Sequence, residues 1–408
     1  MTEHDIAVTG IGLVTPAGIG TQATWRGLLE GASTATVDPE LTKLDVDFTC
    51  RVAAFAPEEL LGRTFDWRPD RAAQFALVAA REAVIDAGLR SGGWDPTRVG
   101  VVLGVGGNSL DRYPREYARI NAGRAHKMPP LALARSVPNM VSAEVALDLG
   151  ARGPSLSVTT ACASGATALG VARDLLRGGS CDVVVTGGAE SGCSYASVAC
   201  YQQTGTLSEH LDDPEGACRP FDRDRDGAVL GEGAGILVLE RTAHAVGRGA
   251  RPRALLAGFG ATSDAHDLSD PHPEGRGAAE AMTIALRDAG LGPADVGHVN
   301  AHGVSTVPGD LAEYRALHTV FGTPPPVTAN KSVLGHALGA ASGIEAAVTV
   351  LTLQQQVIPP TANLDSLDPA IELDVVRKSP RHATIRAALS NSFGFGGQNA
   401  AAVFTSAT

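Results

Sequence analysis

Aromatic residues are scarce in this chain of 408 residues, where Phe, Tyr and Trp together make up 4% of the sequence. Hydrophobic residues still reach 44%, so the interior has to be built from Ala, Val, Leu and Ile. That composition is typical of an α/β protein whose strands are covered on both faces. The length exceeds what one simple core fills, which favours two domains or two fused halves.

Lysine is rare as well, because only Lys43, Lys127, Lys331 and Lys378 occur among 33 basic residues. A lysine inside a motif is therefore more informative than usual. The formal net charge of −11 argues against the phosphate backbone of a nucleic acid as the partner. It does not exclude a local basic patch.

The sequence also lacks the marks of a membrane or secreted protein. No uninterrupted apolar run approaches the roughly 20 residues needed to cross a bilayer. The opening stretch, MTEHDIAVTGIG, has no basic segment followed by an apolar one, which argues against a secretory signal. The six cysteines form no CxxC pair and no disulfide-like framework. These features predict a cytoplasmic protein with reduced thiols and no membrane partner.

Apolar runs closed by glycine alternate with segments of helical periodicity along the chain. The pattern predicts strands over residues 5–12, 99–104 and 182–188, and helices over 21–30, 71–89 and 164–176. It begins again past residue 240, with strands over 254–260 and 296–301 and helices over 277–289 and 343–354. The recurrence indicates a duplicated α/β unit.

A weak internal echo supports this duplication. ACASGATAL (161–169) and GAASGIEAA (339–347) share the tripeptide Ala-Ser-Gly, and each leads into a helix of small residues. The basic segment 241–253 is the predicted joint between the two halves, since no long low-complexity linker occurs.

Cys162 follows an apolar strand and precedes a helix rich in Ala and Gly, within SVTTACASGATAL (157–169). A thiol at a helix N-terminus is close to unpaired backbone N–H groups and to the positive end of the helix dipole, which favour the thiolate. A buried structural cysteine is the alternative interpretation, and we assign it to the other five cysteines. For Cys162 the strand–turn–helix context alone leaves both interpretations open.

Three further segments carry candidate site residues. GHVNAHGVSTVPGD (297–310) places His302 after a strand, and TANKSVLGHALGAASGIEAA (328–347) places Lys331 five positions before His336. LSNSFGFGGQNAA (389–401) is a strand that leads into a loop of alternating Gly and Phe, whose backbone N–H groups can face a substrate oxygen. Each segment taken alone is more often structural.

Cys162, His302, Lys331 and His336 occur in an order that is highly specific for one family. The chain strongly resembles the elongation-type β-ketoacyl-acyl-carrier-protein synthases of the thiolase superfamily. The resemblance covers nearly the whole chain and is also carried by VTGIGLVTPAG (8–18), RPFDRDRDGAVLGEGAGILVLE (219–240) and NSFGFGGQNAA (391–401).

The resemblance implies a thiolase-like, five-layered αβαβα fold in two pseudo-symmetric halves, residues 3–241 with the nucleophilic cysteine and residues 250–405 with the two histidines. It implies a decarboxylative Claisen condensation of an acyl thioester with malonyl-acyl carrier protein, in type II polyketide, polyene or fatty-acid biosynthesis. It implies no metal and no cofactor, because the substrates arrive on the phosphopantetheine of an acyl carrier protein. The expected assembly is a homodimer, or a heterodimer with a chain-length factor.

The resemblance also implies catalytic roles. Cys162 matches the nucleophile that takes the acyl chain, and His302 and His336 match the pair that promotes decarboxylation. Lys331 matches a lysine held near the second histidine and a glutamate, here expected to be Glu345. A plain buried Lys–Glu pair is an equally acceptable interpretation of these last two residues.

The backbone N–H groups of Cys162 and Phe395 match the family's oxyanion hole, and the Phe395 ring matches a gate that admits the acyl chain. Thr306 matches a hydroxyl that contacts the pantetheine arm. Val304 departs from the family pattern, which has threonine there, so we expect altered pantetheine binding with intact chemistry.

Two further groups of residues have a weaker match to functional positions of the family. Tyr201 and Val105 align with positions that line the acyl pocket, although core packing explains them equally well. Arg63, Arg68 and Arg71 cluster where related enzymes dock the carrier, and a basic patch suits an acidic carrier protein. Ordinary surface arginines are the alternative interpretation of these three.

Other functions require other residues. A non-catalytic partner similar to a chain-length factor keeps the fold but replaces the cysteine, commonly with glutamine, whereas Cys162 is present. A non-decarboxylating thiolase or an initiation-type synthase usually carries Cys with one His plus Asn or a second Cys, rather than two histidines. Nucleotide binding is excluded because no GxGxxG opens a helix after the first strand.

Overall fold

The computed structural model describes residues 6–62, 70–90, 93–107 and 112–407. Its strands are β1 (Ile6–Thr15), β2 (Gly18–Ile19), β3 (Thr36–Val37), β4 (Phe48–Thr49), β5 (Val99–Gly104), β6 (Ser155–Val158), β7 (Val183–Ser191), β8 (Glu232–Arg241), β9 (Ala254–Ser263), β10 (Val296–Asn300), β11 (Val327–Thr328), β12 (Val357–Ile358), β13 (Arg381–His382), β14 (Ala387–Gly394) and β15 (Gln398–Thr405). Its helices are α1 (Thr21–Glu30), α2 (Pro57–Leu61), α3 (Arg71–Asp86), α4 (Arg112–Asn121), α5 (Ala132–Ser136), α6 (Asn139–Leu149), α7 (Ser164–Arg177), α8 (Tyr195–Gln203), α9 (Pro214–Ala217), α10 (Thr242–Gly247), α11 (Arg276–Ala289), α12 (Val307–Phe321), α13 (Lys331–Leu334) and α14 (Ala341–Gln355).

The predicted strands and helices are present, with ends that differ by a few residues. The helix predicted over 71–89 shows a clear difference, because α3 ends at Asp86. Gly88 adopts a left-handed conformation with φ of +68°, which an α-helix cannot continue through. The segment 241–253 contains the short helix α10 and connects β8 to β9.

The main sheet repeats one strand order twice. The first half runs β1-β8-β7-β5-β6, and the second runs β9-β15-β14-β10-β11. In both halves the first two pairings are antiparallel and the next two are parallel. The two halves join where β1 pairs with β9 over three residues, Ile6–Val8. The duplication inferred from the sequence is therefore visible in the strand order.

Helices cover both faces of each half-sheet. Helices α3 and α6 pack their apolar residues on the outer face of the first half, and α11 and α12 do the same on the second. Helices α7 and α14 lie between the halves, in a cluster of buried Ala, Val, Leu and Ile that contacts both. The order of layers is α, β, α, β, α, which confirms the thiolase-like fold predicted from the sequence.

Helices α7 and α14 cross at glycine, with backbone against backbone. A Cβ on Gly165 would lie 2.6 Å from the amide nitrogen of Gly343 and 2.8 Å from the hydroxyl oxygen of Ser342. The Ser342 hydroxyl also accepts a hydrogen bond from the Ala166 amide at 2.9 Å. Gly165, Ser342 and Gly343 belong to the two Ala-Ser-Gly tripeptides of the internal echo. The echo therefore marks a close approach of the two halves beside the site.

We expect Gly165→Ala to lower the free energy of unfolding by about 1–3 kcal/mol, because the added methyl group has no space without separating α7 from α14. Urea unfolding followed by circular dichroism measures the change. Gly247→Ala is the matched control, since nothing lies within 4 Å of a Cβ built there. Equal stability of the two variants would contradict the close crossing.

Candidate active site

Cys162 lies in a tight turn between β6 and α7. The residue before it, Ala161, has a φ of +49°, a left-handed conformation that is costly for a residue other than glycine. Ser164 braces the turn, because its hydroxyl accepts a hydrogen bond from the Thr160 amide at 2.9 Å and donates one to the Ala161 carbonyl at 2.6 Å. The turn places the buried thiol at the start of α7.

His336 comes from the second half of the chain and meets the thiol directly. Its Nε2 lies 3.0 Å from Sγ of Cys162. The backbone of His336 is fixed on both sides, since its amide donates to the Val229 carbonyl at 2.7 Å and its carbonyl accepts from the Gly231 amide at 2.9 Å. These bonds tie the imidazole to the segment that leads into β8.

His302 completes the cluster. Its ring centroid lies 5.5 Å from that of His336 and 5.6 Å from that of Phe393. The backbone N–H groups of His302 and Gly303 donate to the two carboxylate oxygens of Glu313, at 2.9 and 2.7 Å. Glu313 thus holds the turn after β10 and aims the imidazole into the cleft. The sequence interpretation did not include Glu313.

Lys331 lies behind His302 and forms a buried ion pair with Glu345. Its Nζ also donates to the His302 carbonyl at 2.6 Å and lies 3.4 Å from Nδ1 of the same residue. An ammonium group only donates, so Nδ1 of His302 has to accept and the ring proton resides on Nε2. Both interpretations of Lys331 therefore apply. It forms a buried ion pair with Glu345, and it determines which ring nitrogen of His302 carries the proton.

Burial governs the ionisation of the cluster. It raises the pKa of the Cys162 thiol to about 11, although Lys331 and the Phe395 amide act in the opposite direction. It lowers the pKa of His302 and of His336 well below the ordinary value, and the charge of Lys331 lowers both further. At neutral pH the resting site therefore holds a thiol beside two neutral imidazoles.

The loop after β14 closes the site from the other side. The Phe395 amide donates a hydrogen bond to the Cys162 sulfur. A Cβ on Gly394 would lie 2.8 Å from the Thr160 carbonyl oxygen and 3.0 Å from the Cys162 amide nitrogen, so this position has to be glycine. The Cys162 and Phe395 amides therefore both lie close to the sulfur.

A cleft leads from the surface to Cys162 and holds about 920 Å³ of empty space, counting the part that is open to solvent. Both histidines, Tyr201, Val304, Thr306 and Phe395 line it. The Tyr201 and Phe395 rings contact each other, with centroids 6.0 Å apart. The Thr306 hydroxyl accepts a hydrogen bond from the Gly309 amide at 3.2 Å and so caps α12.

Val105 does not line this cleft. It is buried at the end of β5 and borders a second, smaller cavity that also contains Glu190. Glu190 accepts hydrogen bonds from the amides of Gly106 and Gly107 at 2.7 and 2.9 Å, and burial raises its pKa to about 7. Tyr201 and Val105, which the sequence interpretation grouped together, therefore lie in different cavities.

The three arginines matched to carrier docking have different positions. Arg63 and Arg68 lie outside the described residues. Arg71 is bound within the protein, because its guanidinium donates to Glu232 at 2.6 and 2.9 Å and stacks on Phe75 at 4.7 Å. The charge of Arg71 is therefore shared with the carboxylate of Glu232.

Two other kinds of site are absent from the described residues. No group of three or more His, Cys, Asp or Glu side chains is placed to hold a metal ion. None of the helices described has both the length and the apolar character that a membrane span requires.

We expect Lys331→Met to lower the free energy of unfolding by about 3–5 kcal/mol at pH 8 and by less at pH 5.5. Burial already raises the pKa of Glu345 to about 7 even with Lys331 present. Without the lysine the folded state keeps Glu345 protonated to higher pH than the unfolded state, so stability falls as pH rises from about 4.5. Urea unfolding at both pH values measures the effect. The matched variant Lys331→Met/Glu345→Gln should lose this pH dependence, and a pH-independent loss in both variants would contradict the buried charge pair.

Comparison with known proteins gives the same family throughout. Residues 3–245 match the family described as "Beta-ketoacyl synthase, N-terminal domain", and residues 253–365 match "Beta-ketoacyl synthase, C-terminal domain". Over 407 residues the chain is 37% identical to 3-oxoacyl-[acyl-carrier-protein] synthase 2 of Staphylococcus aureus (strain N315), covering 98% of this chain and 97% of the relative.

Solved structures agree with this comparison. The ishigamide ketosynthase/chain length factor superposes with a TM-score of 0.91 at 33% identity, over 98% of this chain and 99% of that chain. AntDE:AntF, a type II PKS acyl-carrier protein in complex with its ketosynthase bound to the hexaketide, superposes with a TM-score of 0.89 at 30% identity and the same coverage. With a thiol and two imidazoles in one cleft of this fold, the chain belongs to the β-ketoacyl synthase family of acyltransferases.

Proposed function

We propose that this enzyme catalyses a decarboxylative Claisen condensation between an acyl thioester and malonyl-acyl carrier protein, in type II polyketide, polyene or fatty-acid biosynthesis. The observation that carries the proposal is the 3.0 Å contact between the Cys162 sulfur and His336, with the second imidazole 5.5 Å from the first. A nucleophile with one imidazole that accepts its proton and a second that donates a hydrogen bond is what this two-step acyl transfer needs.

In the first step Cys162 attacks the thioester carbonyl of the acyl carrier protein. His336 Nε2 accepts the thiol proton as the carbon–sulfur bond forms, and the proton leaves with the phosphopantetheine thiol. The thioester oxygen becomes negatively charged and receives hydrogen bonds from the amides of Cys162 and Phe395. Each such donor is worth about 2.7–4 kcal/mol in transition states of this type.

In the second step malonyl-acyl carrier protein enters the same cleft. Its carboxylate leaves as CO₂, and the electron pair of the broken carbon–carbon bond passes to the thioester, whose oxygen becomes negative. The Nε2–H of His302 donates to this oxygen, with His336 beside it, and no strong base is needed. The resulting carbon nucleophile attacks the acyl-Cys162 carbonyl and expels the cysteine sulfur as a thiolate, which takes up a proton from solvent.

The residues that line the cleft indicate how the pantetheine arm of the substrate binds. Thr306 supplies a hydroxyl to the pantetheine, whereas Val304 offers only methyl groups at a position where the family has threonine. We therefore propose that binding of the pantetheine arm is altered while the chemistry is intact, and that the acyl chain passes along a wall formed by Tyr201 and Phe395.

The enzyme needs no metal for this reaction, and its partners are an acyl carrier protein and either a second copy or a chain-length factor. We also propose a cytoplasmic location, where thiols stay reduced.

A second candidate is a non-catalytic partner resembling a chain-length factor, because the ishigamide structure includes one. Such a partner needs no reactive thiol. The short Sγ–Nε2 distance in this chain favours the catalytic assignment.

We expect Cys162→Ala to abolish the covalent acyl adduct that forms when the protein is mixed with acyl-loaded carrier protein. Intact-mass spectrometry detects the adduct. Cys200→Ala is the matched control, because Cys200 is an exposed cysteine outside the cleft. An adduct that persists without Cys162, or wild-type protein that never forms one, would refute the catalytic function.

We expect His302→Ala to keep self-acylation within a few-fold of wild type while slowing CO₂ release from malonyl carrier protein at least about 100-fold. The reason is that His302 donates to the oxygen of the malonyl thioester, whereas the acylation step uses Cys162 and His336. Radiolabelled CO₂ release and intact mass measure the two steps. His382→Ala, at an exposed histidine on β13, is the control. Equal loss of both steps would contradict this division of roles.

A further inference from the structure

Tyr201, in α8, brings an unpaired hydroxyl group to the wall of the cleft. Its ring packs on the buried cluster that contains Cys162, and its centroid lies 6.0 Å from that of Phe395. The Tyr201 carbonyl accepts a hydrogen bond from Thr204, whereas the hydroxyl has no partner among the residues that the structure describes. Because a covered tyrosine hydroxyl ordinarily has a hydrogen-bond partner, a molecule that fills the cleft has to supply one.

The Tyr201 hydroxyl can serve only as a neutral group at the pH of the reaction. Burial raises the pKa of Tyr201 above its ordinary value, and the neighbouring Cys162 and Glu190 act in the same direction. The hydroxyl therefore keeps its proton at neutral pH. It is a hydrogen-bond donor that stands ready beside the nucleophile, and not a base.

The other hydroxyl groups of this wall have their protons committed to the protein. Within the described part of the chain, four hydroxyl-bearing side chains line the cleft, namely Tyr201, Thr206, Ser269 and Thr306. Ser269 donates to the Asp267 carboxylate at 3.2 Å. Thr204 uses its single proton on the Tyr201 carbonyl at 2.6 Å, so it has to accept from Thr206 at 2.7 Å. The protons of Ser269 and Thr206 are therefore not available to a substrate.

Two free hydroxyl donors remain, and they serve different parts of the substrate. The Thr306 hydroxyl accepts from the Gly309 amide, which leaves its own proton for the pantetheine arm, as proposed above. The thioester oxygen is held in the proposed mechanism by the amides of Cys162 and Phe395. The partner left for the Tyr201 hydroxyl is an atom of the acyl chain itself.

We propose that Tyr201 selects acyl chains that carry a carbonyl or hydroxyl oxygen near the thioester over fully saturated chains. The inference rests on the proposed function and narrows its substrate class to polyketide chains that retain oxygen. An oxygen on the chain accepts the Tyr201 proton, whereas a saturated chain covers the hydroxyl and leaves it unpaired. A site built to hydrogen-bond a substrate group discriminates against the analogue that lacks this group.

The test is a competition between acyl groups for Cys162 in the full-length enzyme. Octanoyl-pantetheine is mixed with an equal amount of 3-oxooctanoyl-pantetheine, and in a second experiment with 5-oxooctanoyl-pantetheine. Intact-mass spectrometry separates the octanoyl adduct from the oxo adduct, and their early ratio is the ratio of the two kcat/KM values. The forms compared are the wild type, Tyr201→Phe and the control Tyr195→Phe. Tyr195 begins the same helix, is 45% exposed and does not line the cleft.

We expect Tyr201→Phe to lower the ratio of oxo to octanoyl adduct about tenfold for at least one of the two oxo probes, because it removes the hydroxyl and keeps the ring. Comparing variants cancels the difference in intrinsic reactivity between the thioesters. The probe that responds reports how far along the chain the hydroxyl binds. Tyr195→Phe should keep the wild-type ratio with both probes.

Three results would overturn the selection by Tyr201. One is a ratio that Tyr201→Phe leaves unchanged with both oxo probes, and another is an equal fall in Tyr195→Phe. The third is an equal slowing of all three probes in Tyr201→Phe, which would place the hydroxyl on the thioester oxygen instead of the chain. A wild-type enzyme that forms no adduct with any probe would instead refute the proposed function.

Discussion

The approach of α7 to α14 at Gly165 and Gly343 is the constraint on which the site depends. Only hydrogen occupies the side-chain position at this crossing, so two helix backbones meet where ordinary side chains would hold them apart. Cys162 lies two residues before the start of α7, and His336 lies five residues before the start of α14. The 3.0 Å contact between sulfur and imidazole is thus set by the packing of the central layer, and each catalytic side chain is carried by a different half of the duplicated fold.

Buried charged side chains fix the orientation of His302. Glu313 holds the backbone of the turn that carries His302, and the pair of Lys331 and Glu345 fixes the tautomer of its ring. Charges at such depth contribute little net stability, because the loss of hydration offsets their attraction. Their effect here is geometric, since they direct one N–H group of His302 into the cleft.

The sequence alone predicted the strands and helices that have strong local patterns. Glycine-closed apolar strands and helices of clear periodicity are present as predicted, and the fold class and family are confirmed. The sequence alone did not predict interactions between segments that are far apart along the chain. Arg71 pairs with Glu232, 161 residues away, and a list of surface arginines cannot reveal such a partner. Glu313 lies within α12, where a glutamate is ordinarily solvated, and no local signal marks it as buried. Helix α4 was missed because it has no apolar face that packs on the core.

The duplication also affects how the protein is made. The nucleophile and its histidine partner are 174 residues apart in the chain, and among the described residues the two half-sheets pair through Ile6–Val8 of β1 and Ala254–Leu256 of β9. Contacts of such separation form late, and chains dominated by them fold slowly. During synthesis the first half therefore emerges with an incomplete reaction centre. The thiol gains its imidazole neighbour only after the polypeptide has been synthesised beyond residue 336.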